Sequence, residues 1–173
     1  MTEPVTPLDD ATLAFAERVF DAARQGDAAQ LKQWLEAGLP ADLRNAKGDS
    51  LLMLASYHGQ FEAAQVLMQA GADAQLGNMR GQTPLAGTAF KGDLEMTRLL
   101  LDHGADVNGT TADGRTPLMF AAMFNRLDIM RLLVERGADV QAKDAQGVDA
   151  KGCAMAMGAQ DALALLQQWT SAS

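Results

Sequence analysis

Few residues in this chain could perform nucleophilic or acid–base chemistry. Such chemistry usually needs a base with a pKa near neutrality, and the sequence contains two histidines, His58 and His103, and one cysteine, Cys153. A cysteine–histidine pair is one way to make a reactive thiolate. His103 directly precedes Gly104, however, and a cation at such a helix end is favoured by the helix dipole. We therefore interpret both histidines as exposed or helix-capping side chains, and Cys153 as a small buried apolar residue.

Metal ions and phosphates have no recognisable set of ligands in this sequence. The CxxC, HxxxH and HExxH spacings that supply zinc ligands are missing, as are the GxxxxGK(S/T) and GxGxxG phosphate-binding loops. The acidic pair Asp9–Asp10 would need further converging oxygens to hold a hard cation, and we interpret it as part of a solubilising arm. We expect no metal, no cofactor and no enzymatic activity.

Charge and composition narrow the classes of partner. The 173 residues carry 22 acidic and 14 basic side chains, for a formal net charge of −8, which repels phosphate backbones and anionic lipids. No apolar run approaches the length of about 18 residues that spans a membrane, and the first ten residues lack the features of a signal peptide. A single cysteine suits a reducing compartment. We expect a soluble cytoplasmic protein that binds neither nucleic acid nor membrane.

Glycines recur at intervals of 33 residues, and this period organises the chain. Glycine and asparagine reach positive φ at low cost, so each recurring position marks a helix end or a turn. Three such series are present: Gly38, Gly71, Gly104 and Gly137; Gly48, Gly81, Gly114 and Gly147; and Gly26, Gly59, Gly92 and Gly158, with Asn125 in the missing place.

Apolar residues and capping residues keep the same register. Thr83 followed by Pro84 predicts the start of a helix, and the turn at Gly92-Asp93 separates it from a second helix. Each unit is therefore an antiparallel helix pair, followed by a helix stop and a hairpin-like finger. The predicted core of the second helices is the series Trp34, Leu67, Leu100, Leu133 and Leu166.

The motifs GQTPL at 81–85, GADVN at 104–108 and GRTPL at 114–118 resemble those of ankyrin repeats, which share this period. The resemblance covers roughly residues 12–169 and implies an all-α repeat fold, an ankyrin-repeat solenoid of stacked antiparallel helix pairs joined by hairpin-like fingers. We predict a flexible acidic arm over 1–11, an N-terminal capping helix pair over 12–44, ankyrin repeats over 45–77, 78–110 and 111–143, and a C-terminal capping repeat over 144–173.

The chain departs from the family pattern at the start of its first helices. Where the family has Thr-Pro-Leu, the first repeat has Ser50-Leu51-Leu52 and the last has Asp149-Ala150-Lys151. The histidine that usually follows is replaced by Met53, Ala86 and Met119. The hydrogen bonding that this histidine supports between repeats is therefore in question.

The resemblance also implies where a partner would bind. In this family the first helices and the fingers line a concave face, and the partner usually touches the fingers and the ends of the first helices. On the fingers, the corresponding residues are Lys47, Asp49, Met79, Arg80, Gln82, Asp113 and Arg115. At the ends of the first helices they are Tyr57, His58, Phe90, Lys91, Met123, Phe124 and Met157.

Tyr57, Phe90 and Met123 share one register, so they are expected to form an apolar strip that Phe124 extends. Exposed aromatic residues and methionines dominate binding hot spots. The alternative is that these side chains fold inward and seal the contacts between repeats as ordinary core.

The basic residues around this strip also permit two interpretations. Lys47, Arg80, Lys91 and Arg115 could steer an acidic peptide into the groove, or they could be scattered solubilising charges.

These observations predict a non-enzymatic protein-binding module that is monomeric on its own. It would hold a protein or peptide partner on its concave face, as an accessory, stabilising or inhibitory subunit. The alternative is a self-assembling structural protein that forms a homodimer through the apolar strip. An enzyme would instead show an activity that is lost on substitution of His58, His103 or Cys153.

Overall fold

The computed structural model describes residues 7–171, which fold into ten α-helices with one isolated β-bridge between Arg44 and Ser50. Most of the predicted acidic arm, residues 1–6, lies outside the described range. The helices are α1 (Asp10–Gln25), α2 (Ala28–Glu36), α3 (Leu51–Tyr57), α4 (Phe61–Gln69), α5 (Pro84–Lys91), α6 (Leu94–Asp102), α7 (Pro117–Met123), α8 (Leu127–Glu135), α9 (Ala150–Ala156) and α10 (Gln160–Ser171).

The helices form two layers. The first helix of each pair packs on the first helix of the next, in the order α1, α3, α5, α7 and α9. The second helices α2, α4, α6, α8 and α10 stack in the same way. The predicted all-α solenoid of helix pairs is therefore confirmed. No helix within residues 7–171 has the length and apolar character needed to cross a membrane.

The helix starts follow from side-chain capping. The hydroxyls of Ser50, Thr83 and Thr116 each accept a hydrogen bond from the backbone three residues ahead, which satisfies one of the free N–H groups of a helix start. Asp9 caps α1 by accepting from the Thr12 amide at 2.7 Å. Because of this cap, α1 begins at Asp10, two residues earlier than the start at Thr12 predicted for the capping pair.

The predicted turn series adopt the left-handed backbone conformation. The glycines of all three series have positive φ, and Asn125, with φ 58°, is the one non-glycine residue in the described range that does so. The Asn125 side chain is held by the last unit, since its Oδ1 accepts from the Ala162 amide at 2.8 Å and its Nδ2 donates to Asp161 at 3.2 Å. Asparagine therefore replaces glycine here with compensating contacts.

The core follows the predicted second-helix register. Leu67, Leu100, Leu133 and Leu166 are completely buried. Trp34, the first member of the series, is half-buried and makes an edge-to-face contact with Phe15, with 5.3 Å between ring centroids. Trp34 is the largest side chain of the series, and tryptophan is rarely buried completely.

Backbone hydrogen bonds join each finger to the next. Met79 donates to the Lys47 carbonyl at 3.1 Å, and Ala112 donates to the Gly81 carbonyl at the same distance. Ala145 and Asp113 repeat the contact at 3.0 Å. The repeats are thus connected without the histidine that the family usually places after Thr-Pro-Leu.

The second helices supply another link between repeats. Gln60 precedes α4 and donates to the Arg24 carbonyl at 2.8 Å, and Arg126 precedes α8 and donates to the Phe90 carbonyl at 3.3 Å. Neither side chain caps its own helix, whereas Asp27 and Asp93 at the equivalent positions do. Before α2, α4, α6 and α8, the preceding residue therefore either caps the second helix or bonds the preceding repeat.

Candidate functional site

The ends of the first helices carry exposed aromatic side chains. Tyr57 ends α3 and Phe90 lies in the last turn of α5, and they are 43% and 40% exposed. Met123 and Phe124 are half-buried. We refer to these four residues as the apolar strip. Tyr57 and Phe90 are too exposed to be core residues. Their exposure favours a strip available to a partner over side chains that fold inward and seal the contacts between repeats.

The strip continues across two repeats through ring contacts. Phe90 and Phe124 meet edge to face, with 4.8 Å between their ring centroids and an angle of 80° between the ring planes. Aromatic pairs in this geometry gain about 0.5–1.5 kcal/mol beyond the burial of area. The contact fixes Phe90 in place while leaving two fifths of it exposed.

Tyr57 is held between two neighbouring side chains. The Lys91 Nζ lies 4.5 Å from the centroid of the Tyr57 ring, which is a cation–π geometry. His58 contacts the same ring edge to face at 5.6 Å. The predicted residues Tyr57, His58 and Lys91 are thus brought together at the junction of the first and second repeats.

A cavity of about 270 Å³ lies between α3 and α5 beside the strip. Its walls are largely apolar, and polar side chains of two fingers stand among its lining residues. The lining residues are Met53, Ser56, Tyr57, Gln82, Thr83, Pro84, Ala86, Gly87, Phe90, Thr111 and Phe120. They all come from first helices and fingers, so the cavity opens on the face that these elements form. We call this surface the finger face.

A wider groove of about 510 Å³ adjoins this cavity and shares Met53, Tyr57 and Gln82 with it. The fingers bring Lys47 and Arg80 to this groove, and both are exposed. No ion pair involves either residue in the described part of the chain. Met79 precedes Arg80, and its amide donates to the Lys47 carbonyl; its side chain is 80% exposed.

Two predicted binding residues are partly engaged in holding the fingers together. The Asn78 Nδ2 donates to Asp49 at 2.8 Å and to the Gln82 Oε1 at 2.9 Å. Asp49 also accepts from Asn45 at 3.3 Å. A partner that used the Asp49 carboxylate would compete with these bonds, so Asp49 is better placed to support the groove than to bind.

Arg115 does not offer the available positive charge that the sequence predicts. Its Nε lies 3.3 Å from Asp113 and 3.7 Å from the buried carboxylate of Asp144. A hydrogen bond from the Thr111 hydroxyl, reinforced by the Arg115 charge, lowers the pKa of Asp113 despite partial desolvation. These two carboxylates offset the Arg115 charge, so this end of the finger face is not positive. Met123 and the half-exposed Met157 line a cavity of about 440 Å³ beside this cluster.

The three candidates for nucleophilic chemistry, two histidines and one cysteine, belong to three different helices. His58 and His103 are exposed residues at the ends of α3 and α6, as interpreted from the sequence. Cys153 is buried in α9, where burial raises the pKa of its thiol and Asp144 acts in the same direction. No histidine lines the cavity beside it. Residues 7–171 also contain no group of three or more His, Cys, Asp or Glu side chains suited to a metal ion.

Sequence reasoning missed the cavity between Tyr57 and Phe90, although one signal for it is present. Gly87 occupies the register in which the two other repeats and the last unit have Leu54, Phe120 and Cys153. A missing side chain at one position of an otherwise filled series leaves space between neighbouring helices.

Stacked antiparallel helix pairs with a regular period and a grooved finger face define a helical repeat protein of the solenoid class. The family model of ankyrin repeats, in three copies, matches residues 19–110 and 52–144, and the chain belongs to the ankyrin repeat family. Ankyrin repeats are generally protein–protein interaction modules, and the fold is a non-enzymatic binding fold.

One similar protein of Pseudomonas aeruginosa bears the name of an ankyrin repeat protein. It is 52% identical to this chain over 67 residues, which are 38% of this chain and 39% of that protein. The matched segment therefore spans well under two thirds of the relative.

Proposed function

We propose that this protein holds a partner protein on its finger face, as an accessory, stabilising or inhibitory subunit. The observation that supports this most strongly is the exposure of Tyr57 and Phe90, at 43% and 40%, beside an open apolar cavity. Large aromatic side chains are rarely left together on the surface of a soluble monomer unless they bind something. Family membership points to the same kind of activity.

The surface is preformed, which favours tight association. Helices present Tyr57 and Phe90, and hydrogen bonds between neighbouring fingers hold the groove. Binding to such a surface costs little ordering of the backbone. Burial of the aromatic rings would supply affinity, and the cations Lys47, Arg80 and Lys91 would set the orientation of the partner.

Replacement of Phe90 by alanine is expected to weaken partner binding by about 1 to 3 kcal/mol, because the ring is a partly exposed anchor beside the cavity. Tyr57→Ala and Phe124→Ala are expected to act in the same direction. The measurement is affinity capture of partners from a lysate of the host organism, followed by titration of the captured partner against each purified variant.

Phe61 offers a matched control for this experiment. It is 39% exposed, almost the same as Phe90, but begins the second helix α4 and lines none of the three finger-face cavities. Phe61→Ala should therefore leave capture unchanged. Equal losses for the two variants would contradict the proposal. A large drop in thermal stability for Phe90→Ala would show that Phe90 is a core residue instead.

Size-exclusion chromatography with light scattering separates this proposal from self-assembly. The proposal requires a chain that stays monomeric as its concentration is raised. A dimer that dissociates on Phe90→Asp would show that the apolar strip joins two copies of this chain.

A further inference from the structure

The backbone conformation at Gly87 does not require a glycine. It lies inside α5 (Pro84–Lys91), and it is not among the residues with positive φ. A glycine in a helix interior destabilises the helix by roughly 1 kcal/mol relative to alanine. A Cβ at this position would meet only the Tyr57 ring, at an ordinary contact distance of 3.6 Å. Neither backbone conformation nor steric crowding therefore requires glycine here.

The absence of a side chain at Gly87 opens the cavity between the first and second repeats. At the same register the two other repeats and the last unit carry a side chain, since Leu54 and Cys153 are buried and Phe120 is half-buried. Gly87 and Phe120 both line the cavity of about 270 Å³. Sites for complete small ligands usually measure about 300 to 1,000 Å³, so this volume suits the side chain of a partner better than a whole ligand.

Three cations lie close to the cavity on an otherwise acidic protein. Lys91 lies over the ring of Tyr57, which is one wall of the cavity. Lys47 and Arg80 stand on neighbouring fingers in the adjoining groove. None of these three cations has a carboxylate partner within residues 7–171, although the chain has a formal net charge of −8.

Two carboxylates also line the adjoining groove, those of Glu17 and Asp49. Asp49 is engaged by Asn45 and Asn78. Glu17 lies on α1, whereas the exposed charges that the fingers bring to this groove, Lys47 and Arg80, are both positive and complement a negatively charged segment.

We propose that the partner of the finger face is an acidic peptide segment carrying one large apolar side chain. The apolar side chain occupies the cavity that Gly87 leaves open, between Tyr57 and Phe90. Carboxylates of the same segment pair with Lys47, Arg80 and Lys91. This inference rests on the proposed function, since it names the chemistry of the segment bound at the same face.

The proposal is tested by selecting short random peptides, displayed on phage, against the immobilised full-length protein. Enriched peptides are expected to be rich in Asp and Glu and to share one Phe, Trp, Leu or Met. The best enriched peptide is then synthesised with a fluorescent label, and its affinity is measured by anisotropy. Replacing its apolar residue by serine should weaken binding by about tenfold or more.

Two sets of protein variants assign this binding to the cavity and the cations. Gly87→Leu fills the cavity and should weaken peptide binding by about tenfold or more, while the melting temperature stays equal or rises because glycine leaves a helix. Gly87→Ala is the smaller substitution to use if leucine disturbs the helix pair. Lys47→Glu with Arg80→Glu should weaken binding, whereas Lys32→Glu with Arg98→Glu, the same change in charge on exposed positions of α2 and α6, should weaken it much less.

The outcomes separate this inference from the function on which it rests. Peptides that lose binding on Phe90→Asp, but are not acidic or are unaffected by Gly87→Leu, would overturn the inference and leave the proposed function standing. Enriched peptides that are unaffected by Phe90→Asp as well would count against both. Failure to enrich any peptide would overturn the proposed acidic segment, and lysate capture by wild type and Phe90→Ala would then decide the proposed function.

Discussion

Leu100→Ala is expected to lower the free energy of unfolding by about 2 to 5 kcal/mol. Leu100 is completely buried in α6, and its equivalents Leu67 and Leu133 on the neighbouring second helices are buried to the same degree. Helices that pack on both sides of the site limit how far it can collapse around the missing atoms. The loss is measured by urea denaturation followed by circular dichroism.

Leu101 is the control for this substitution. It is the next residue in the same helix and is half-buried, so Leu101→Ala removes the same atoms from a more exposed site and should cost clearly less. A loss below about 1 kcal/mol for Leu100→Ala, or equal losses for both variants, would contradict the packing of the second helices described above.

Gly81→Ala is expected to destabilise the protein by about 2 to 5 kcal/mol, as the sum of two effects. Gly81 has a φ of 70°, which costs a residue with a Cβ about 1 to 2 kcal/mol. The added Cβ would also lie 2.8 Å from the backbone nitrogen of Ala112 on the next finger, and such overpacking typically costs about 1 to 3 kcal/mol. The Ala112 amide donates to the Gly81 carbonyl, so the finger contact would have to open.

Gly147 separates the two effects. It occupies the same register with a φ of 79°, but no atom lies within 4 Å of the position that its Cβ would take. Gly147→Ala should therefore show the backbone cost alone, near 1 to 2 kcal/mol. Both variants are compared by thermal and urea unfolding. If Gly81→Ala and Gly147→Ala lost the same stability, the fingers would not pack against each other in solution.

The repeat architecture is predictable from sequence because the same backbone conformations recur at a fixed interval. The turn at Asn125 shows why this works, since asparagine shares with glycine the ability to adopt positive φ, and the residue adopts a φ of 58°. The core is predictable for a related reason. Leu67 and Leu100 face the same layer in successive units, so one register identifies both.

The roles of individual finger residues are less predictable from register. Asp49, Gln82 and Arg115 occupy equivalent positions, yet Asp49 and Gln82 accept hydrogen bonds from Asn78, whereas Arg115 pairs with the buried carboxylate of Asp144. The roles of Asp49 and Arg115 depend on the residue that the next finger presents, whereas Gln82 bonds within its own finger. Register alone predicts that Arg115 places a positive charge on the groove. In the structure, the carboxylates of Asp113 and Asp144 offset that charge.

The cavity illustrates a similar limit. The gap at Gly87 in the register of Leu54 and Phe120 is visible in the sequence, but a gap alone does not determine whether neighbouring side chains close it. The rings of Tyr57 and Phe90 stand at the walls and leave the space open. The position of the Tyr57 ring depends on a contact with Lys91, and that of the Phe90 ring on a contact with Phe124. In both cases the contacting residue belongs to the next repeat.

Oxidative footprinting of the complex with a captured partner tests the central claim most directly, because it reports side-chain exposure on each face of the molecule. Met79, Tyr57 and Phe90 are exposed on the finger face, whereas Phe61 is exposed at the start of the second helix α4. The partner should lower the oxidation of Met79, Tyr57 and Phe90 and leave that of Phe61 unchanged. Protection of Phe61, with unaltered oxidation of Met79, Tyr57 and Phe90, would contradict binding at the finger face.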